Sequence, residues 1–250
     1  MIAPTDLELP EPGRDGGAPE GEVPADLRRW QLPRGRHGLP RELVDQSQRE
    51  RLLASVIRVT AAKGYRASSV ADILKEAGVG RETFYRHFKD KEDCFVAAND
   101  ALLGDLESQV ATAYEEPGAW PARVRQGLAA ALDWLAAEPD LARVMMAEMG
   151  TVGPIASSRF RETFRRFTSV LDDSSEVVPK AREIPNLALI AGGAVFARVY
   201  EEVTLGNVEK LPQMLPQLTF ELLLPYVGEE AAASERQAAE KEVTRKAGAQ

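Results

Sequence analysis

The apolar positions between Ser69 and Phe88 change their pattern within twenty residues. Val70, Ile73, Leu74 and Ala77 fall at i, i+3, i+4 and i+7, the spacing of one buried face of a short helix. Ala77-Gly78-Val79-Gly80 interrupts it, and Gly78 can adopt the left-handed backbone that a tight turn between helices needs. Phe84 and Phe88 then mark the inner side of a second short helix, which leaves Arg81, Glu82, Tyr85 and Arg86 facing outward. Two short helices, a glycine turn and a polar outer face predict a helix-turn-helix, whose second helix enters the DNA major groove.

Helical periodicity surrounds this unit on both sides. A first helix is expected from near Pro40 to Lys63, with Leu52, Leu53, Val56, Ile57, Thr60 and Ala61 on its buried face. Proline suits its first position, and Gly64 stops it. Ser68 or Ser69 is a natural N-cap for the helix that follows, and a hydroxyl or N–H there can also meet a phosphate. Asp90 caps a fourth helix with Glu92 and Asp93 in its first turn. Phe95, Asn99, Leu102 and Leu106 carry that helix into a second domain.

Five further helices are predicted. The fifth spans about Pro121 to Ala137; the sixth carries Leu141, Val144, Met145 and Met149 and breaks at Gly150. The seventh spans about Ile155 to Leu171, with Phe160, Phe164 and Phe167 on one side and Arg159, Arg161, Arg165 and Arg166 around the other. After a loop, the eighth runs from about Asn186 to Leu205, its Gly192-Gly193-Ala194 suited to close helix approach. The ninth aligns Leu211, Leu215, Leu218 and Leu222; Pro212 suits its first turn, and Pro216 predicts a kink or split. The Ala, Glu, Lys and Arg tail after Tyr226 reads as a frayed helix or disorder.

The run Ala77-Gly78-Val79-Gly80-Arg81-Glu82-Thr83-Phe84-Tyr85-Arg86-His87-Phe88-Lys89-Asp90-Lys91-Glu92 resembles the DNA-binding signature of TetR-family transcriptional regulators. Lys63-Gly64-Tyr65, Ser68-Ser69-Val70 and Ile73 extend the likeness upstream. Beyond this segment the resemblance is one of helical layout. Gly80 stands where that family often has Ser or Thr, and Glu82 where small or polar residues are common. The resemblance implies base contacts around Gly80, Arg81 and Glu82. It implies phosphate contacts from Thr83, Tyr85 and His87, joined by Arg86, and a backbone contact from Lys91. Arginine there can pair with guanine O6 and N7; Glu82 can accept from cytosine N4 or simply favour the positive helix N-terminus.

The expected fold is all-α: a three-helix helix-turn-helix domain, then a helical ligand-binding and dimerisation domain. The divisions are a disordered arm at 1–38, DNA binding at 39–92, the effector and dimerisation domain at 93–228, and a polar tail at 229–250. The last two long helices resemble the family's dimer interface, a four-helix bundle from two subunits, so a homodimer on a pseudo-palindromic operator in double-stranded DNA is implied. The fifth to seventh helices would then surround a small-molecule effector pocket, lined by Trp134, Met145, Met149, Phe160, Phe164, Phe167 and Phe196. Each of these is equally an ordinary core residue on sequence grounds.

Charge sharpens the picture. The chain carries a net −8, yet residues 34–91 hold 13 basic and 7 acidic side chains, a balance of +6 that leaves −14 elsewhere. A basic segment on an acidic body fits a DNA-binding domain joined to a different one. Seven of the 16 prolines precede Arg41, hence the reading of an arm that builds no core. Its Pro33-Arg34-Gly35-Arg36 core is similar to an AT-hook, in which Arg34 and Arg36 would reach into a narrow minor groove; the other reading is a solvated basic linker. One cysteine, Cys94, and two histidines leave little for a disulfide or a transition metal, so a reducing cytoplasm and no metal or cofactor are expected. No nucleophile–base constellation, phosphate loop or HExxH motif is present, so the expected function is regulation and not catalysis. The alternative is a DNA-binding adaptor whose C-terminal domain binds protein.

Overall fold

The computed structural model describes residues 41–148, 152, 154–171, 181 and 183–248, without the side chains of 147, 154–157 and 160. Ten α-helices account for nearly all of them, with no strand among the described residues. The first four are α1 (Arg41–Lys63), α2 (Val70–Ala77), α3 (Arg81–His87) and α4 (Lys91–Tyr114). Then come α5 (Trp120–Ala137) and α6 (Pro139–Arg143), the latter running into one π-helical turn, Val144–Glu148. The series closes with α7 (Pro154–Ser169), α8 (Leu187–Leu205), α9 (Leu215–Val227) and α10 (Glu229–Ala247). Among the described residues no helix is long and apolar enough to cross a membrane.

Local chemistry accounts for the boundaries in the N-terminal unit. Gly64, at φ +79, ends α1, and its N–H donates to Thr60 O. Ser69 caps α2 in a capping box: Asp72 N–H donates to Ser69 Oγ, and Ser69 N–H donates to Asp72 Oδ2 at 2.9 Å. Gly78, at φ +63, closes α2 by donating to Leu74 O. Asp90 caps α4 by accepting from Asp93 N–H. Inside, Leu52, Val56, Ile73, Phe84, Phe88 and Phe95 form one core. Each large apolar side chain so buried contributes roughly 1.5–3 kcal/mol.

The proline question near the ninth helix is resolved by a split. Val208–Met214 is a 3₁₀ helix holding Pro212, and α9 starts afresh at Leu215, so Pro216 lies in its first turn, where no intrahelical N–H is needed. Helices α7 and α8 come close at Gly192: a Cβ there would overlap the Thr168 methyl. That contact explains why the cost of a mid-helix glycine is tolerated.

The tail departs from expectation. It is neither frayed nor disordered over Glu229–Ala247, but a nineteen-residue helix packed on α9 and α5. Ala232 and Ala239, seven apart on one face, are fully buried. Arg125 of α5, only 13% exposed, holds Glu235 at 2.8 Å and Glu242 at 2.6 Å. Lys246 Nζ reaches Asp133 of α5 at 2.6 Å. Composition alone hides this, because the partners lie more than a hundred residues upstream.

Replacing Arg125 with Ala strands the largely buried Glu235 carboxylate and leaves Glu242 with Lys246 alone, at 2.9 Å. Urea denaturation of the full chain is expected to show a loss of about 1–3 kcal/mol, below the figure for a fully buried pair because some water access remains. A loss near zero would mean that the alanine face alone holds α10.

Candidate nucleic-acid interface and effector cavity

Helix α3 is seven residues long, too short to stand alone, and is held by its aromatic underside. Phe84 is fully buried and Phe88 nearly so. The opposite face is open: Arg81, Glu82, Tyr85 and Arg86 are exposed, Thr83 and His87 half-buried. The Arg81 guanidinium lies 5.7 Å from the Tyr85 ring centroid and makes no ion pair among the described residues. Arg86 Nη1 pairs with Asp45 Oδ1 of α1 at 2.9 Å. Gly80, the N-cap of α3, makes no side-chain cap, and space around it is open.

Burial lowers the His87 pKa below the ordinary imidazole value, with Asp45 opposing and Arg86 and Arg49 assisting. Its Nε2 is buried without a hydrogen-bond partner among the described residues.

Two positions expected at the DNA make hydrogen bonds within the chain. Ser68 is buried, and its Oγ donates to Gly64 O at 2.7 Å. A buried hydroxyl must satisfy its own hydrogen bond, so Ser68 braces the α1–α2 loop while Ser69 caps α2. Lys91 Nζ donates to Tyr65 O at 2.7 Å and Ser68 O at 2.8 Å, and sits 3.9 Å from the Tyr65 ring centroid. Burial lowers the Lys91 pKa. Its ammonium ties the start of α4 to the loop ahead of α2. The arm residues Arg34 and Arg36 lie outside the described residues.

The C-terminal helices line a partly open cavity of about 220 Å³. Its walls come from α4 (Leu103, Leu106, Val110), α5 (Leu128, Ala131), the π turn (Met145, Met146), α7 (Phe164, Phe167) and α8 (Val195, Phe196). The only hydroxyls on the described lining belong to Tyr114, Thr163 and Thr168, and no charged group lines it. It exceeds the roughly 150 Å³ at which an apolar cavity stays dry and takes up benzene. Such a space suits an apolar body with at most a hydroxyl-sized polar contact; a charged head has to stay outside.

Of the expected lining residues, Met145, Phe164, Phe167 and Phe196 face this space. Trp134 does not. It packs between the DNA-binding core and the regulatory core, because its turn of α5 faces the seam of the two domains. Met149 and the Phe160 side chain lie outside the described residues. The α4 wall escaped the sequence reading, although Leu103, Leu106 and Val110 carry helical spacing along a face of their own.

Residues 52–98 match the family described as "Bacterial regulatory proteins, tetR family". The chain is 24% identical over 121 residues to the fatty acid metabolism regulator protein of Bacillus subtilis, covering 48% of this chain and 62% of that one. It is 31% identical over 112 residues to the HTH-type transcriptional regulator EthR of Mycolicibacterium smegmatis, covering 44% and 49%. The chain spans less than two thirds of the length of either of these curated relatives. Among solved structures, the transcriptional regulator FadR from Bacillus subtilis, in complex with stearoyl-CoA, is similar with a TM-score of 0.57 at 21% identity, over 71% of this chain and 97% of that one. That likeness is one of fold.

The capping box gives the interface an acid limit. Lys63 Nζ at 2.6 Å, then the Ser69 hydroxyl and N–H, hold the Asp72 carboxyl down at about 2. A carboxylate depressed in the folded state stabilises it above the unfolded value, and that contribution is lost as pH falls through the folded one. Between pH about 4 and about 2, wild-type stability is expected to fall more steeply than that of Asp72→Asn in thermal melts. Parallel curves would exclude Asp72 as a contributor.

Proposed function

We propose that this chain, a TetR-family transcriptional regulator, is a homodimeric repressor that binds a pseudo-palindromic operator and releases it when an apolar effector enters the cavity. The observation that carries the reading is the exposed face of α3, with Arg81 and Tyr85 outward and Phe84 and Phe88 anchoring the helix from beneath. In this reading Arg81 pairs with a guanine edge in the major groove, and Glu82 sits at the positive helix N-terminus or accepts from cytosine. Gly80 brings the backbone close to the bases, and Ser69, Thr83, Tyr85, Arg86 and His87 meet phosphates. Arg86 has to exchange or share Asp45 to do so. His87 contributes a ring N–H, and burial disfavours its cation.

Dimerisation is supported by the outer face of α8. Leu189, Ile190 and Tyr200 are exposed on it, and Leu205 at its end is 66% exposed. Leu224 of α9 adds to this apolar surface at 40%. A second copy seated there would cover these side chains and set two reading helices at a fixed spacing, so both half-sites add their energy.

The effector class follows from the lining: a chain or ring of hydrocarbon with its polar part at the mouth. The stearoyl-CoA held by the FadR protein of Bacillus subtilis makes a long acyl chain the first candidate. The effect on DNA is linkage: the effector can weaken operator binding only by as much as it prefers the released conformation.

Selection of duplexes from a random pool tests the DNA reading. Arg81→Ala is expected to lose about 1–3 kcal/mol of discrimination at one base position in each half-site, with the rest of the preference intact. Unchanged preferences would exclude Arg81 as the reading residue. Saturating stearoyl-CoA is expected to lower affinity for the selected duplex by at least fivefold. If no acyl or other apolar ligand shifts either the melting temperature or the operator affinity, the sensor reading fails and the adaptor reading takes its place.

A further inference from the structure

We infer that the Gly64–Tyr65 corner, gripped by Arg143 and Glu148, is the joint through which the cavity sets the attitude of α3, with Glu148 as the positioning residue. This rests on the effector-responsive reading above and deepens it.

The joint is visible in the backbone accounting. When α1 ends, its last carbonyls lack helical partners, and the Tyr65 N–H, one residue past Gly64, has left the helical ladder. Two of these groups find partners in the other domain. Arg143 Nη2 donates to Ala61 O, and Tyr65 N–H donates to Glu148 Oε2 at 3.2 Å. The same carboxylate lies alongside Gly64, where a Cβ would sit 3.5 Å from Oε1. The DNA-binding unit therefore completes the end of its first helix with side chains it does not own.

The π turn that supplies Glu148 touches both cores. Val144 is fully buried in the core of the DNA-binding unit, beside Phe84, Phe88 and Phe95. The next two residues, Met145 and Met146, line the cavity. A π turn inserts one residue into the helical register, and such insertions recur at functional sites. Here it lets successive side chains serve opposite sides of the seam. A ligand that displaces the backbone at Met145 or Met146 displaces Val144 and Glu148 with it, since they are on the same five-residue turn.

On the receiving side the corner is stiff. The Tyr65 ring packs against Phe95, centroids 4.9 Å apart and planes tilted by 56°, and its carbonyl is held by Lys91. Ser68 Oγ is tied to Gly64 O, and the next residue, Ser69, caps α2. With Tyr65 and Ser68 both tied down ahead of α2, a displacement at Glu148 is passed on to α2 and, through the Gly78 turn, to α3.

The test uses full-length protein and a substitution that occupies the cavity in place of a ligand. Ala131→Phe fills it from α5; Val195→Phe, from α8, serves if the first does not fold. Affinity is measured for the duplex selected by the wild type, together with hydrogen exchange of the Tyr65 amide. Filling is expected to weaken DNA binding about tenfold in the wild-type background and to speed exchange at Tyr65. In Glu148→Ala the same filling should change affinity less than about twofold, whereas Glu148→Gln, which keeps an acceptor oxygen, should restore the response. An equal response in the wild-type and Glu148→Ala backgrounds overturns the joint, as does an unaltered Tyr65 amide. Wild-type protein that selects no duplex at all instead sinks the DNA-binding reading on which the joint rests.

Discussion

A seven-residue helix cannot hold its shape in water, and everything proposed for this chain requires one to do so. Helix α3 persists because Phe84 and Phe88 are driven into a core built by α1, α2 and α4. That burial fixes the helix and also decides which residues remain outside. Arg81 and Tyr85 are presented to solvent because their neighbours at the right helical spacing are not. The polar face is thus a by-product of the apolar one, and a substitution at Phe84 would harm recognition without touching DNA.

The regulatory domain is organised by a different constraint. Its helices close around an apolar space that they do not fill, and the walls are tied from outside. Close contact at Gly192 clamps α7 to α8, and the Arg125 and Lys246 ion pairs strap α10 over α5. These ties sit on the shell, and the described residues of the cavity lining carry no charged group. The π turn lies where the two constraints meet, with one residue in the reading unit's core and two in the cavity wall.

Much of the reading unit was legible in the sequence because its signals are local. Ser69, Gly78 and Asp90 act within three or four residues of themselves, and caps of this kind are chemical statements about the backbone at that point. Ser68 and Lys91 hold ties that no local signal announces. A motif marks a position, but whether a hydroxyl or an ammonium faces outward depends on carbonyls up to twenty-six residues away. The cavity was legible in part, since its phenylalanines carry periodicity, whereas Trp134 shares that periodicity and faces the seam instead. Helix α10 and the π turn were illegible: an Ala, Glu, Lys and Arg tail has no apolar stripe to announce it, and a one-residue change of helical register leaves no mark in composition.

The central claim is that two copies of α3 lie in the major groove. Guanine N7 protection from dimethyl sulfate on a duplex bound by the full chain tests it most directly, because N7 faces only the major groove. The account predicts two protected patches related by two-fold symmetry and separated by one helical turn or a multiple of it. A single patch, or a bound duplex whose guanine N7 atoms all stay reactive, would contradict it.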